Sequence, residues 1–150
     1  MKFISNSPSQ TKNFAKKIAK ILISKENSPK ILALKGNLGA GKTTFLKSFA
    51  KALGIKEKIV SPTFIIMRKH AFLNKKSKSK NYFYHFDCYR IQSEKEILNL
   101  GFKEIVSDPK NIAAIEWAEK IKKFLPKKTF WLEFKILDKK KREILFKNGK

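Results

Sequence analysis

Residues 36 to 44 read Gly-Asn-Leu-Gly-Ala-Gly-Lys-Thr-Thr, and within them Gly36, Gly41, Lys42 and Thr43 form the spacing G-x-x-x-x-G-K-[ST]. The apolar run Ile31-Leu32-Ala33-Leu34 stands upstream, short enough for a strand buried in a parallel sheet. Downstream, Phe45, Leu46, Phe49, Ala50 and Leu53 recur at helical spacing, and Gly54 marks a stop. Strand, glycine loop and helix in that order predict an α/β domain with a mainly parallel central sheet.

The residue types explain themselves chemically. Backbone N–H groups can surround a triphosphate only where the chain curls tightly and no side chain projects inward, which suits Gly36, Gly39 and Gly41, with Asn37, Leu38 and Ala40 completing the loop. The helix that follows would present the positive end of its dipole to the same phosphates. Lys42 suits the β- and γ-phosphates, the Thr43 hydroxyl suits a bridging Mg²⁺, and Thr44 adds a second hydroxyl nearby.

A chain of 150 residues fits a single domain, 1–150, whose core needs no disulfide or metal staple. The one cysteine, Cys88, permits no internal disulfide. The formal charge of +23, from 35 Lys and Arg against 12 Asp and Glu, would ordinarily raise nucleic-acid binding first. Only Arg68, Arg90 and Arg142 are arginines, although arginine is the better residue for bidentate contacts to phosphates and bases. The excess of lysine accompanies abundant Ile, Phe and Asn, so compositional bias competes with a binding face as its origin. The N-terminus lacks the apolar core of a signal peptide, and no apolar stretch approaches the roughly 20 residues that cross a bilayer. A cytoplasmic protein without a membrane partner is expected.

Along the chain, Ser7-Pro8-Ser9-Gln10 reads as a helix start, followed by an apolar stripe of Phe14, Ile18, Ile21 and Leu22. Ser61-Pro62-Thr63-Phe64 reads as a turn, after which Ile65, Ile66 and Met67 resume a strand. The basic run Asn74 to Asn81 is expected to be a solvated hairpin loop. Tyr82 to Asp87 is a strand on which His85 and Asp87 share a face, with structural and catalytic roles both open for them. Ser93 and Glu96 have capping-box spacing for a short helix stopped by Gly101. Ile112 to Ile115 is a small apolar strand ending in Glu116, a carboxylate placed where a phosphate-loop protein needs an acid beside its metal. Trp117 is its expected functional neighbour. Alternation in Phe130, Leu132, Phe134 and Ile136, a turn at Asp138-Lys139-Lys140-Lys141, and a return through Ile144 and Phe146 predict a C-terminal β-hairpin covering the sheet.

Taken together, these segments resemble the TsaE (YjeE) family of small ATPases in bacterial tRNA threonylcarbamoyladenosine synthesis. The resemblance rests on Gly36 to Phe45, Ser61 to Phe64, His85-Phe86-Asp87-Cys88-Tyr89-Arg90, Leu100-Gly101, Ile115 to Glu119 and Leu125-Pro126. It implies a three-layer P-loop NTPase-like fold with antiparallel strands flanking the parallel ones. It implies ATP and Mg²⁺ as cofactors, with Thr43 and Glu116 on the metal, Lys42 and the loop amides on the phosphates, and Asp87 near the γ-phosphate. Ser61 and Thr63 would lie in a switch-like loop, Thr63 among the catalytic residues. Implied partners are the TsaD and TsaB proteins, with tRNA reached indirectly through their complex; the ATPase would be weak alone and would reset that complex between turnovers. Asn37 stands where the family commonly has Asp, and the Lys75 to Lys80 run is longer and more basic than the pattern. A small P-loop kinase and a basic tRNA-binding module are the rival readings.

Overall fold

The computed structural model describes residues 1–60 and 65–149. The elements are β1 (Lys2–Ser5), α1 (Pro8–Ile23), β2 (Lys30–Lys35), α2 (Lys42–Ala52), β3 (Met67–Asn74), β4 (Ser79–Asp87), α3 (Glu94–Leu98), α4 (Phe102–Ser107), β5 (Asn111–Glu116), a kinked 3-10 segment over Ala118–Phe124, β6 (Phe130–Ile136) and β7 (Arg142–Lys147).

Among the described residues the strands form one seven-stranded sheet in the order β1-β7-β6-β2-β5-β4-β3. Strands β6, β2, β5 and β4 run parallel, while β3 pairs antiparallel with β4, and β7 antiparallel with β6 and β1. This is the mixed α/β arrangement expected from the strand-loop-helix unit. Strand β2 lies at its centre with Lys30 to Leu34 buried, which accounts for its uninterrupted apolar run.

Side-chain alternation divides the core into two layers. Leu32, Leu34, Ile112, Ala114 and Phe83 point to the face packed by α1 and α2, where Phe14, Ile18, Phe45 and Phe49 meet them. Ile31, Ala33, Ala113, Ile115 and Phe86 point the other way, toward Ile97, Phe102, Val106 and Ile121. The period of two along each strand therefore requires helices on both faces. Among the described residues no helix is long and apolar enough to cross a membrane.

Local signals act as their chemistry predicts. The Ser7 side chain accepts from the Gln10 N–H at 3.2 Å, and Pro8 opens α1. At α3 the Ser93 and Glu96 side chains form a reciprocal capping box.

Two expectations change. The C-terminal hairpin does not cover the sheet but extends it, because β6 pairs with β2 in parallel from Leu32↔Phe130 to Lys35↔Glu133. Ile65 and Ile66 precede the strand, Ile66 having φ 62°, so β3 begins at Met67. The short helix α3 does end at Leu98, before Gly101, as expected, and at φ 77° Gly101 also opens α4. Strand β1 had no local signal, because its four residues form a strand by pairing with β7 at the far end of the chain. The expected turn at Ser61-Pro62-Thr63-Phe64 lies outside the described residues.

Gly36, where β2 gives way to the loop, is fixed by packing as well as by conformation. Its φ is 152°, and a Cβ there would stand 2.7 Å from the Phe134 carbonyl oxygen and 2.9 Å from the Phe134 Cβ. Gly36→Ala is therefore expected to lower stability by about 1–3 kcal/mol in urea unfolding, from overpacking against backbone that cannot move aside. Gly54→Ala, with open space around its Cβ at φ 89°, is expected to lose less, only the left-handed backbone cost.

Candidate functional site

The carboxyl ends of the parallel strands converge on one edge of the sheet, the general location of ligand sites in open α/β folds. Strand β2 delivers the glycine loop there, β5 delivers Glu116 and β4 delivers Asp87 in register with it. Glu116 falls on the same face of the sheet as Ala114, and His85 and Asp87 on the same face as Phe83, the face packed by α2, so their side chains approach the loop helix.

A cleft of about 400 Å³ opens at this edge, lined by loop residues 38 to 44 together with Asp87, Tyr89, Glu116 and Trp117. Within the loop, the Ala40 N–H donates to the Asn37 carbonyl at 3.1 Å, and Gly41 takes φ 101° to start α2. Only a residue without a Cβ adopts that angle readily. The α2 N-terminus has no side-chain cap and no acidic residue in its first turn. Its amides and dipole thus remain available to an anion.

Lys42 is buried and its ammonium is folded back on the loop, donating to the Gly36 carbonyl and, at 3.1 Å, to the Asn37 carbonyl. The same ammonium stands 4.8 Å from the centroid of the Trp117 ring. Burial pulls its pKa below the usual lysine range, while Glu116, Glu119 and Asp87 nearby pull it back up. The lysine is a cation held between carbonyls, an aromatic face and carboxylates, and an entering phosphate would offer it a stronger acceptor.

Glu116 is 4% exposed, and its Oε1 stands 3.4 Å from the His85 Nε2. Asp87 is nearly as buried, and its Oδ1 accepts from the Tyr89 N–H at 2.9 Å. Trp117 follows Glu116 in the left-handed region, at φ 56° and ψ 38°, a turn a bulky side chain adopts only at a cost. It packs against Tyr89 with ring centroids 5.0 Å apart. Thr43 is exposed at the cleft. Its hydroxyl with the two carboxylates makes a hard oxygen donor set of the kind Mg²⁺ takes. No group of three or more His, Cys, Asp or Glu side chains able to hold a metal occurs among the described residues. A divalent cation here would draw the rest of its ligands from phosphate and water.

The structure therefore gathers Gly36 to Thr44, Asp87 and Glu116 at one edge, and places Trp117 with them. Thr63 lies outside the described residues. Sequence reasoning missed Arg142, whose guanidinium leaves β7 to donate to the Gly39 carbonyl at 3.2 Å and to the Asp138 and Lys141 carbonyls of the hairpin turn. Its rarity among so many lysines was the available signal. A second cleft of about 500 Å³ adjoins the first across Gly39, Gly41 and Thr44, and is walled by Arg142, Lys139, Lys140, Pro8 and Thr11. The cysteine beside this site is buried, and burial, with Asp87 adding to it, pushes the Cys88 thiol up to about 12.

A glycine loop between a central parallel strand and a helix, facing carboxylates from neighbouring strands, defines an α/β protein of the phosphate-loop type. Residues 5–144 match the family model described as "Threonylcarbamoyl adenosine biosynthesis protein TsaE". The chain is 42% identical over 139 residues to the tRNA threonylcarbamoyladenosine biosynthesis protein TsaE of Rickettsia typhi, covering 91% of this chain and 88% of that one. It is 34% identical over 146 residues to the TsaE of Bacillus subtilis, covering 97% and 84%. The crystal structure of Bacillus subtilis YdiB superposes with a TM-score of 0.73 at 31% identity, covering all of this chain (100%) and 86% of the other. The chain belongs to the TsaE family.

The Cys88 environment has a measurable consequence. The unfolded thiol ionises near its ordinary value of 9.0, whereas the folded one holds its proton to about 12. Its contribution to stability is therefore complete below pH 9 and is lost as pH rises from there toward the folded value. Chemical denaturation across that window should show a steeper alkaline loss for the wild type than for Cys88→Ala. The native thiol should also resist alkylation at pH 8 until the chain is unfolded.

Proposed function

We propose that this chain is a Mg²⁺-dependent ATPase that supports tRNA threonylcarbamoyladenosine formation together with TsaB and TsaD, without itself transferring the threonylcarbamoyl group. The observation that carries this reading is the meeting of Lys42 and Thr43 with Asp87 and Glu116 in one cleft. The fold supplies the loop; the neighbouring strands supply the acids.

In this reading the loop amides and the α2 N-terminus receive the β- and γ-phosphates, and Lys42 exchanges the Gly36 and Asn37 carbonyls for phosphate oxygens. Mg²⁺, held by the Thr43 hydroxyl and the Glu116 carboxylate, would offset phosphate charge during transfer to water. Asp87 orients the attacking water, its carboxylate fixed from one side by the Tyr89 N–H. Trp117 and Tyr89 wall the cleft against bulk solvent and keep Lys42 from swinging out. The second cleft, open to Thr44 and bordered by Arg142 and Pro8, takes the ribose and base. Adenine as that base rests on the family. The TsaB and TsaD partnership also rests on the family, which belongs to threonylcarbamoyl adenosine biosynthesis.

Lys42→Ala and Glu116→Gln are each expected to lower ATP turnover about 100-fold or more, the scale of removing one charge-stabilising group. Their circular dichroism should match the wild type. Hydrolysis measured with and without the TsaB and TsaD proteins should show stimulation by the pair, and cells relying on either variant should lose the modified nucleoside from their tRNA. Wild-type levels of the modification with Lys42→Ala would rule this function out.

A further inference from the structure

His85 is a buried polar residue that the proposed chemistry does not use. It lies on β4 beside Ala114 of β5 and is 1% exposed, with its ring against Phe83 at a centroid distance of 6.4 Å. Its Nε2 faces the Glu116 Oε1 at 3.4 Å, and its Nδ1 has no hydrogen-bond partner among the described residues.

Those two facts select a tautomer. An ionised carboxylate offers only lone pairs, so the ring nitrogen facing it must carry a hydrogen. A neutral imidazole has one such hydrogen, which places N–H at Nε2 and leaves a bare lone pair at the unpartnered Nδ1. The opposite tautomer would set lone pair against lone pair at Glu116 and bury an unsatisfied N–H at Nδ1, which is worse on both sides. A side chain that served only packing would do better here as an apolar residue like its neighbour Phe83, because no nitrogen would then be stranded.

We propose that His85 is the positioning residue of Glu116: as the neutral Nε2–H tautomer it donates to Oε1 from behind the cleft and fixes the carboxylate in the orientation that a divalent cation requires. Oriented partners of this kind hold a ligating carboxylate in place and raise its affinity for the metal. The inference rests on the reading of the cleft as a Mg²⁺–nucleotide site, but the hydrogen bond itself belongs to the protein alone.

Two measurements test it. The first reads the imidazole nitrogen chemical shifts of the wild-type protein without nucleotide or metal, where a protonated Nε2 and a bare Nδ1 are expected; an Nδ1–H tautomer overturns the proposal. The second titrates Mg²⁺ against binding of a fluorescent N-methylanthraniloyl ATP in the wild type, His85→Gln and His85→Leu. The Gln amide nitrogen reaches the place of Nε2 and can donate; the Leu side chain cannot. His85→Leu should need about tenfold more Mg²⁺ for half-maximal binding, with metal-free binding changed less than about twofold, and His85→Gln should stay near the wild type. A His85→Leu curve on top of the wild type, or a His85→Gln curve as displaced as that of Leu, overturns it. A wild type whose nucleotide binding ignores Mg²⁺ would instead refute the reading of the cleft as a Mg²⁺–nucleotide site, and the imidazole shifts would then decide the role of His85 alone.

Discussion

The fold depends on the burial of β2 between two parallel neighbours. A strand paired on both edges and covered on both faces must be apolar throughout, and its chain must leave the sheet only at the ends. At the carboxyl end of β2 the exit is tight, because Gly36 passes against the Phe134 backbone of β6. The turn made there throws the loop across the strand ends and starts α2, whose Phe45 packs edge-on against Phe134 at 5.7 Å and against Phe14 of α1 at 6.3 Å. Position of the loop, seating of the helix and attachment of the C-terminal hairpin are thus one packing problem.

The site inverts the electrostatics of the surface around it. The exterior is crowded with lysines, and its ion pairs, such as Lys123 with Glu94 and Lys147 with Glu133, hold side chains that remain substantially in water. Such pairs contribute little. At the strand ends the carboxylates of Asp87 and Glu116 are instead withdrawn from water beside a buried Lys42. Desolvating charges is costly unless they serve one another or a ligand. The Lys42 ammonium is satisfied for now by carbonyls of its own loop, which gives it a partner it can relinquish.

Much of this was legible locally. The strand-loop-helix unit was readable because its signals are short-range: an apolar run, glycines at turning points and a stripe at helical period. The caps at Ser7 and at Ser93 with Glu96 were legible for the same reason, since a cap joins residues three apart. Glu116 was picked out by its position at a strand end, and His85 with Asp87 by their shared face. Strand β1 and the in-plane placement of β6 were not legible, because each is held by pairing with sequence-distant strands and has no local signature. Arg142 was missed likewise: a residue in a terminal hairpin reaches Gly39 only after the sheet has brought the hairpin turn to the loop.

The sequence by itself determined that a phosphate-type loop leads from a buried strand into a helix, that acids end two other strands, and that the family is TsaE. These are properties of residue type and spacing, which survive without coordinates. Only the tertiary structure decided that Glu116 is backed by His85, that Lys42 rests on its own loop beneath Trp117, and that Arg142 braces the loop while a second cleft opens beside it. The reason is physical: His85 with Glu116, Trp117 with Lys42 and Arg142 with Gly39 are each far apart in sequence, and the order and direction of strands in a sheet are set by how all of them bury their faces together, not by any one segment.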